Sequence, residues 1–260
     1  MNKKPFVNKN SIVRQIWGKS DTILFIFAGA SAEFALNKAV DWLYFTGKLP
    51  ADPIGRLFST VSYARQIVFS DKETAEHAID MMTTIHASVE TKRSAKIPDW
   101  AYRDVLFMLI GYSIRSFEVL ERKLTLSEKE EVFNVFYKVG SGMNIQGLPK
   151  TFPEWETMRQ EHLKQNLEYS SFTFDLYKQY RKHLGPLRYK ILLQTQKMLA
   201  PQKVSELLKF NKIVFIKPFL GIYKLCRPLK LDWIFKALLL PPKYKMQIKS
   251  LDITNTAMAY

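Results

Sequence analysis

Apolar residues recur along most of the chain at the three- to four-residue spacing of an amphipathic α-helix. No segment shows the sustained alternation of apolar and polar residues that a half-buried β-strand requires. The pattern therefore predicts an all-α fold, without an internal repeat. Predicted helices run over about 20–46, from 53, from 70, over 99–123, from a cap at 124–130 to 140, from 154 to about 167, and over 172–199.

The helix that starts at position 53 carries the most informative polar residues. Asp52 can cap it, and Pro53 suits the first turn because an N–H at that position would have no partner inside the helix. Arg56, Thr60 and Tyr63 follow at i, i+4 and i+7 and so share one helix face, with Ser59 beside them. One face of this helix therefore offers a cation and two hydroxyl groups.

His86 lies on the apolar face of the next helix, which opens with the capping-box pattern of residues 70–73. An imidazole on an apolar face, near a helix that offers Arg56 and Thr60, is either a ligand that faces a buried cofactor or an ordinary core histidine. Helical periodicity leaves both interpretations open. The predicted apolar face consists of Ala75, Ala78, Ile79, Met82, Ile85, His86 and Val89.

Other signatures of catalysis or metal binding are missing from the sequence. There is no His-Glu-x-x-His, no histidine pair at i, i+4, no carboxylate triad and no Gly-x-Ser-x-Gly. Cys226 is the only cysteine, which excludes an intrachain disulfide and a cysteine-based zinc cluster. The remaining histidines, His77, His162 and His183, are predicted to lie on the surface. His86 is then the candidate for a single ligand, and one histidine is what a haem iron requires on its proximal side.

Charge divides the chain into two parts. Residues 1–170 carry 22 Lys and Arg against 20 Asp and Glu, whereas residues 171–260 carry 17 against 4, so that most of the net charge of +15 lies in the last third. A hydrophobic content of 47% indicates a folded protein. We expect a flexible basic arm over 1–19, a helical core over 20–170, and a basic amphipathic helical region over 171–260 that packs on this core.

Basic and apolar residues alternate irregularly from Val204 to Lys245. Each apolar run there ends at a proline within about ten residues, which is too short to cross a bilayer. Such a mixture suits helices that lie on an anionic membrane surface, and the alternative is that the aromatic side chains face the core and the lysines face solvent. Nucleic acid is not indicated, because no recognised binding motif accompanies the charge. A different polyanion stays an alternative.

The apolar run 22–32 imitates a secretory signal, but its helical pattern continues past Glu33, Lys38 and Asp41. It is therefore predicted to be part of one long buried helix and not a signal or a membrane span. The expected location is the cytoplasm. The basic region suggests that the protein also attaches to a membrane surface.

Several short motifs resemble one known family. They are Asp52-Pro53-x-Gly55-Arg56-x-x-x-Thr60, His86 with Val89, Tyr102 with Asp104, Arg115-x-Phe117-Glu118, Leu126-Ser127-x-x-Glu130, and Leu148-Pro149-x-Thr151-Phe152-x-Glu154. Over about residues 18–167 the chain resembles the MpaB-type oxygenases and the rubber-cleaving latex-clearing proteins. The first block, with a histidine 30 residues after its arginine, is moderately specific for this family.

The resemblance implies a globin-like helical core that holds a b-type haem. His86 matches the proximal iron ligand, and Arg56 and Thr60 match positions on the distal side. Met82 and Tyr63, which share the faces of His86 and Arg56, are predicted to contact the cofactor. The implied function is a haem-dependent oxygenase that acts on an apolar or lipid-like substrate. Together with the basic C-terminal region, the resemblance suggests that this substrate is delivered from a membrane surface.

The chain departs from the family pattern at two places. Ser59, which we include among the predicted catalytic positions, stands where the rubber-cleaving members have lysine and many relatives have arginine. Leu36-Asn37 stands where relatives often carry a His-Pro pair. The missing cation keeps a second hypothesis open, a non-catalytic, membrane-associated helical protein that retains the family fold.

Overall fold

The computed structural model describes residues 4–211 and 213–226, together with Pro241, Tyr244 and Met246. These residues form helices and contain no β-strand, which confirms the all-α prediction. The globin-like arrangement stays a prediction. The α-helices are α1 (Ile12–Trp17), α2 (Ser20–Phe34), α3 (Asp41–Phe45), α4 (Lys48–Ala51), α5 (Pro53–Phe69), α6 (Lys72–Arg93), α7 (Asp99–Leu120), α8 (Leu126–Gly142), α9 (Phe152–Gln165), α10 (Ser171–Leu199), α11 (Gln202–Leu207) and α12 (Lys217–Cys226), with a 3-10 turn at Lys38–Val40.

The central contact of the fold joins α2 to α7. At Gly29 a Cβ atom would lie 2.3 Å from the ring of Tyr112, so only glycine allows the two helices to approach this closely. Both helices are apolar over much of their circumference, and Tyr112 and Phe107 on α7 are almost fully buried. The pair α2–α7 is therefore the axis on which the other helices pack.

A buried ion pair fastens this axis to α9. Both oxygens of the Glu33 carboxylate accept hydrogen bonds from the guanidinium of Arg159, and the hydroxyl of Tyr112 donates to the same carboxylate at 3.0 Å. Burial and the charge of Glu33 raise the pKa of the Tyr112 hydroxyl well above its ordinary value, so it remains a donor. The buried carboxylate of Glu33 therefore has hydrogen-bond partners for both of its oxygens.

The predicted long helix 20–46 is wrong in its second half, because α2 ends at Phe34. The side chain of Asn37 accepts from the N–H of Ala39 and caps a new turn, which competes with continuation of the helix. The break is joined to the end of α9, since the N–H of Lys38 donates to the Asn166 carbonyl and the N–H of Glu168 donates to the Leu36 carbonyl.

The prediction that His162 lies on the surface is also wrong. His162 is only 8% exposed, and its Nδ1 contacts the carboxylate of Asp104. Asn37 and Asn166 donate to the other oxygen of the same carboxylate. His162 is therefore part of a buried polar cluster, whereas His77 is exposed as predicted and His183 is half-buried.

The N-terminal segment is not the flexible arm expected for 1–19. From Lys4 onward it packs on the core, and Val7, Val13 and Trp17 are at most 2% exposed. Ser11 caps α1, and the indole N–H of Trp17 donates to the hydroxyl of Ser113 at 3.2 Å. The apolar side chains of the segment are buried against the core and hold it there, although its many basic residues suggested a solvated arm.

The first part of the predicted C-terminal region belongs to the main core. Leu176, Tyr180 and Leu199 of α10 lie in the same hydrophobic cluster as Val7. The helix bends at Gly185, whose φ of 74° is left-handed, and Pro186 follows the bend. No helix among the residues described is long and apolar enough to cross a membrane. Much of the basic region, 227–240, 242–243, 245 and 247–260, lies outside the described residues.

Loss of the buried cation should destabilise the fold strongly. Arg159→Met leaves the Glu33 carboxylate buried without its partner, so we expect the free energy of unfolding in urea to fall by about 3–5 kcal/mol. The matched control is Lys72→Met, which removes a solvent-exposed pair with Glu76 and should cost less than about 1 kcal/mol. Equal losses for the two variants would contradict this account.

Candidate functional site

The start of α5 is shaped by its cap. The side chain of Asp52 accepts from the N–H of Gly55 at 3.1 Å, and Pro53 occupies the first turn, as predicted. A Cβ at position 55 would lie 2.3 Å from the Asp52 carboxylate, so the Asp-Pro-x-Gly sequence is required by this cap. The cap fixes the direction in which α5 leaves the turn and hence the position of Arg56, one residue later.

A cavity of about 300 Å³ lies between α2, α5, α6 and α7. Its size is that of small-molecule binding sites. Five of the six predicted site residues line it, namely Arg56, Thr60, Tyr63, Met82 and His86. The rest of the lining is mainly apolar: Phe27, Ala30, Ser31, Phe34, Leu43, Leu49, Pro53, Leu57, Ile85, Tyr102, Val105, Leu106, Met108, Leu109, Val139, Met143 and Ile145.

The apolar face of α6 serves two purposes along its length. Ala75, Ala78 and Ile79 pack in a buried cluster with Val139, as the periodicity predicts. One turn further on, Met82, Ile85 and His86 line the cavity, and Ile85 is 41% exposed. The helix begins after Asp71, which accepts from the N–H of Thr74, and not after Ser70 as the capping pattern indicates.

His86 projects from α6 with its ring held by contacts rather than by a hydrogen bond. Its Nδ1 is buried and has no hydrogen-bond partner in the described part of the chain. The ring meets that of Tyr102 edge to face at 5.2 Å, and the Tyr102 hydroxyl donates to Glu90 at 3.3 Å. The Glu90 carboxylate is itself fixed by the N–H of Ile97 and by Lys96.

The electrostatic environment keeps the imidazole neutral. Burial, and then the positive charge of Arg56, lower the pKa of His86 below its ordinary value of 6.5, and the charge of Glu90 offsets this only in part. A neutral imidazole is the form that binds a metal ion. The charge of Arg56 acts on His86 although the two residues belong to different helices, so both side chains lie near one another in the lining of the same cavity.

The α5 side of the cavity presents Arg56 and Thr60 in a local network. Arg56 donates to the hydroxyl of Ser59 at 2.8 Å and to that of Thr60 at 3.5 Å, rather than to Asp52. Both hydroxyls donate back to the Arg56 carbonyl, at 2.7 Å from Ser59 and 3.3 Å from Thr60. Burial lowers the pKa of Arg56, but a guanidinium stays charged at neutral pH.

Ser59 is not among the residues that line the cavity, and its catalytic role stays a prediction. It is exposed, accepts a hydrogen bond from the guanidinium of Arg56 and donates one to the Arg56 carbonyl. Ser59 can therefore influence the site by orienting Arg56, without touching a bound molecule.

The residues present fit a b-type haem. The cavity offers one neutral imidazole, mainly apolar walls and one cation, that of Arg56. One histidine suffices for the proximal side of a haem iron. Among the residues that the structure describes, no cluster of three or more His, Cys, Asp or Glu side chains that could hold a metal ion is found.

The sequence profile of a family described as the catalytic domain of ER-bound oxygenase mpaB/B′ and rubber oxygenase matches residues 17–215, about three quarters of the chain. The chain belongs to this family. Membership confirms the resemblance found in the motifs and establishes an oxygenase catalytic domain at the level of the family. Comparison with curated proteins and with solved structures gave no significant match.

Two residues of this oxygenase-family site were not predicted from the sequence. Tyr102 was noted only as part of a family motif, and Glu90 was not noted. Glu90 follows His86 by four residues, so both lie on one side of α6, and this spacing was the available signal. The contact between Tyr102 and His86 joins different helices and has no signature in the local sequence.

The neutral state of His86 predicts a pH dependence of stability. Because its folded-state pKa is lowered, the unfolded chain takes up the proton first, so the stabilising effect of neutral His86 is complete above about pH 6.5 and declines as the pH falls below it. We expect His86→Gln to reduce the loss in free energy of unfolding between about pH 7.5 and about pH 5.5, measured in urea. His77→Gln, an exposed control on the same helix, should keep the loss of the unmodified protein. An unchanged loss in His86→Gln would contradict the assignment.

Proposed function

We propose that this chain is a haem b-dependent oxygenase that acts on an apolar substrate. The family supplies the oxygenase catalytic domain. The observation that carries the haem proposal is the cavity itself, which neutral His86 on α6 lines together with Arg56 and Thr60 on α5 and with many apolar side chains. His86 would hold the iron, and Met82 and Tyr63, which also line the cavity, would contact the macrocycle.

Haem b, when bound, supplies an iron atom at which dioxygen can react. The chain's own residues would do the rest. Arg56 would bring a fixed positive charge and N–H donors to the cavity, where it would hold a negatively charged group of the cofactor or substrate. The apolar lining excludes water and favours a hydrocarbon substrate. Tyr102 and Glu90 keep the plane of the His86 ring fixed.

A non-catalytic role is the second candidate, and one observation favours it. The Thr60 hydroxyl donates to its own helix and the Arg56 guanidinium donates to Ser59 and Thr60, so these groups have partners before any ligand arrives. Ser59 also adds no charge to the site. Haem content separates this candidate from the oxygenase.

Titration of the apoprotein with haemin tests the role of His86. The unmodified protein should develop a saturable Soret band, and His86→Ala should bind haemin at least about tenfold more weakly with an altered band, because the axial nitrogen is lost. His77→Ala is the control for a histidine on the exposed face of the same helix. Equal spectra and affinities for the two variants would exclude His86 as the ligand.

We further propose that the protein attaches to the surface of an anionic membrane. The support lies in residues 209–226, where Ile213, Phe215 and Ile222 are more than half exposed and Lys209 and Lys224 are exposed as well. Apolar contact and attraction to anionic headgroups act together in such a segment. Anionic lipid is typical of the cytoplasmic leaflet, which is where we place the protein.

Sedimentation with vesicles that contain phosphatidylserine measures this attachment. The double variant Ile213→Ser/Phe215→Ser should bind several-fold more weakly, since two apolar contacts are lost. Leu126→Ser, which changes an exposed apolar residue at the start of α8, should bind like the unmodified protein. Unchanged binding of the double variant, or equal binding to neutral vesicles, would remove the proposal while leaving the haem assignment untouched.

A further inference from the structure

A second, smaller chamber of about 110 Å³ adjoins the main cavity. The two spaces share four wall residues, Phe27, Ser31, Pro53 and Leu57. The chamber borders α5, the helix of Arg56 and Thr60, and none of its lining residues comes from α6, the helix of His86. It therefore adjoins the wall of the main cavity that α2 and α5 form.

The bend of α10 creates this chamber. Tyr180 and Leu184 line it from the first half of the helix, and Arg188, Ile191, Leu192 and Thr195 line it from the second half. The left-handed Gly185 separates the two sets, so the halves close around the space from different directions. Ser31 of α2 anchors both halves, because its carbonyl accepts from Tyr180 and its hydroxyl accepts from the buried Gln196.

The lining of the chamber is mainly apolar. Its hydroxyl groups are engaged within the protein, since Ser31 donates to the Ala28 carbonyl, Thr195 to the Ile191 carbonyl and Tyr180 to the Ser31 carbonyl. Apart from Arg188 the remaining described lining residues are apolar. Apolar chambers of about this size bind small hydrocarbon groups. A hydrocarbon therefore fits the apolar part of this lining.

We infer that the chamber is a subsite for the end of an aliphatic chain, and that Leu57 sets the chain length that the site accepts. Leu57 lines both spaces and therefore separates them. Because its side chain is only half-buried, it can move aside more easily than the other three shared residues. Phe27 is fixed in the core against Trp17, Pro53 belongs to the cap of α5, and Ser31 anchors α10. This inference rests on the proposed function in one respect only: the other end of the chain would lie beside Arg56 and Thr60.

Calorimetric titration with primary n-alcohols, from hexanol to dodecanol, tests the subsite. For the unmodified protein the affinity should rise about fourfold with each methylene up to the longest chain. Ile191→Phe fills the chamber from α10, and Leu24→Phe fills it from α2; neither residue lines the main cavity. Both should lower the affinity for dodecanol by about tenfold or more and leave that for hexanol within about twofold, because a short chain does not reach the chamber. Leu57→Phe, which narrows the passage between the two spaces, should also lower the affinity for dodecanol by about tenfold or more.

Leu187→Phe is the matched control, since Leu187 lies on the same half of α10, is 59% exposed and does not line the chamber. Two variants on opposite walls guard against misfolding of one, which circular dichroism would reveal. Unchanged dodecanol affinity in both filled variants would overturn the inference, and so would an equal loss for all alcohols. The titrations are made with and without haemin. Since alcohol binding requires no iron, failure of haem to bind and failure of the subsite appear as separate results.

Discussion

Close packing of α2 on α7, locked by the buried Glu33–Arg159 pair, is the constraint on which the rest of the structure depends. Gly29 lets the ring of Tyr112 lie against the α2 backbone, and the Tyr112 hydroxyl completes the coordination of Glu33. Residues on the other faces of these two helices, such as Phe34 and Leu109, then form walls of the main cavity. A shift of this axis would move both walls, so the geometry of the site is tied to one buried polar contact.

The cavity lowers the stability of the fold, because side chains around it lack packing partners. Apolar side chains such as Ile85 and Val105 are each 41% exposed on its surface, where a protein selected for stability alone would bury them. Protonation of His86 is opposed by burial and by the charge of Arg56. Such departures from optimal packing are common at sites where a ligand supplies the missing contacts. The family assignment indicates what kind of chemistry such a ligand site would serve, because the family is one of oxygenase catalytic domains.

Local sequence predicted what local physics determines. The cap at Asp52, the shared face of Arg56, Thr60 and Tyr63, and the apolar face of α6 follow from spacing alone, and the structure brings these faces to one cavity. The break after Phe34 and the burial of His162 depend on partners at positions 104 and 166–168, far along the chain. The outward position of Ser59 depends on how α5 is rotated against its neighbours, which periodicity does not fix. The resemblance, and not the spacing, supplied the cofactor.

The most direct test is a pyridine haemochrome assay on protein purified without added haem. The account predicts a stoichiometric b-type spectrum from the unmodified chain and its loss in His86→Ala, with the folded content of both proteins equal by circular dichroism. A freshly purified, folded and unmodified protein that contains no haem b, and takes up none from haemin, would contradict the central claim.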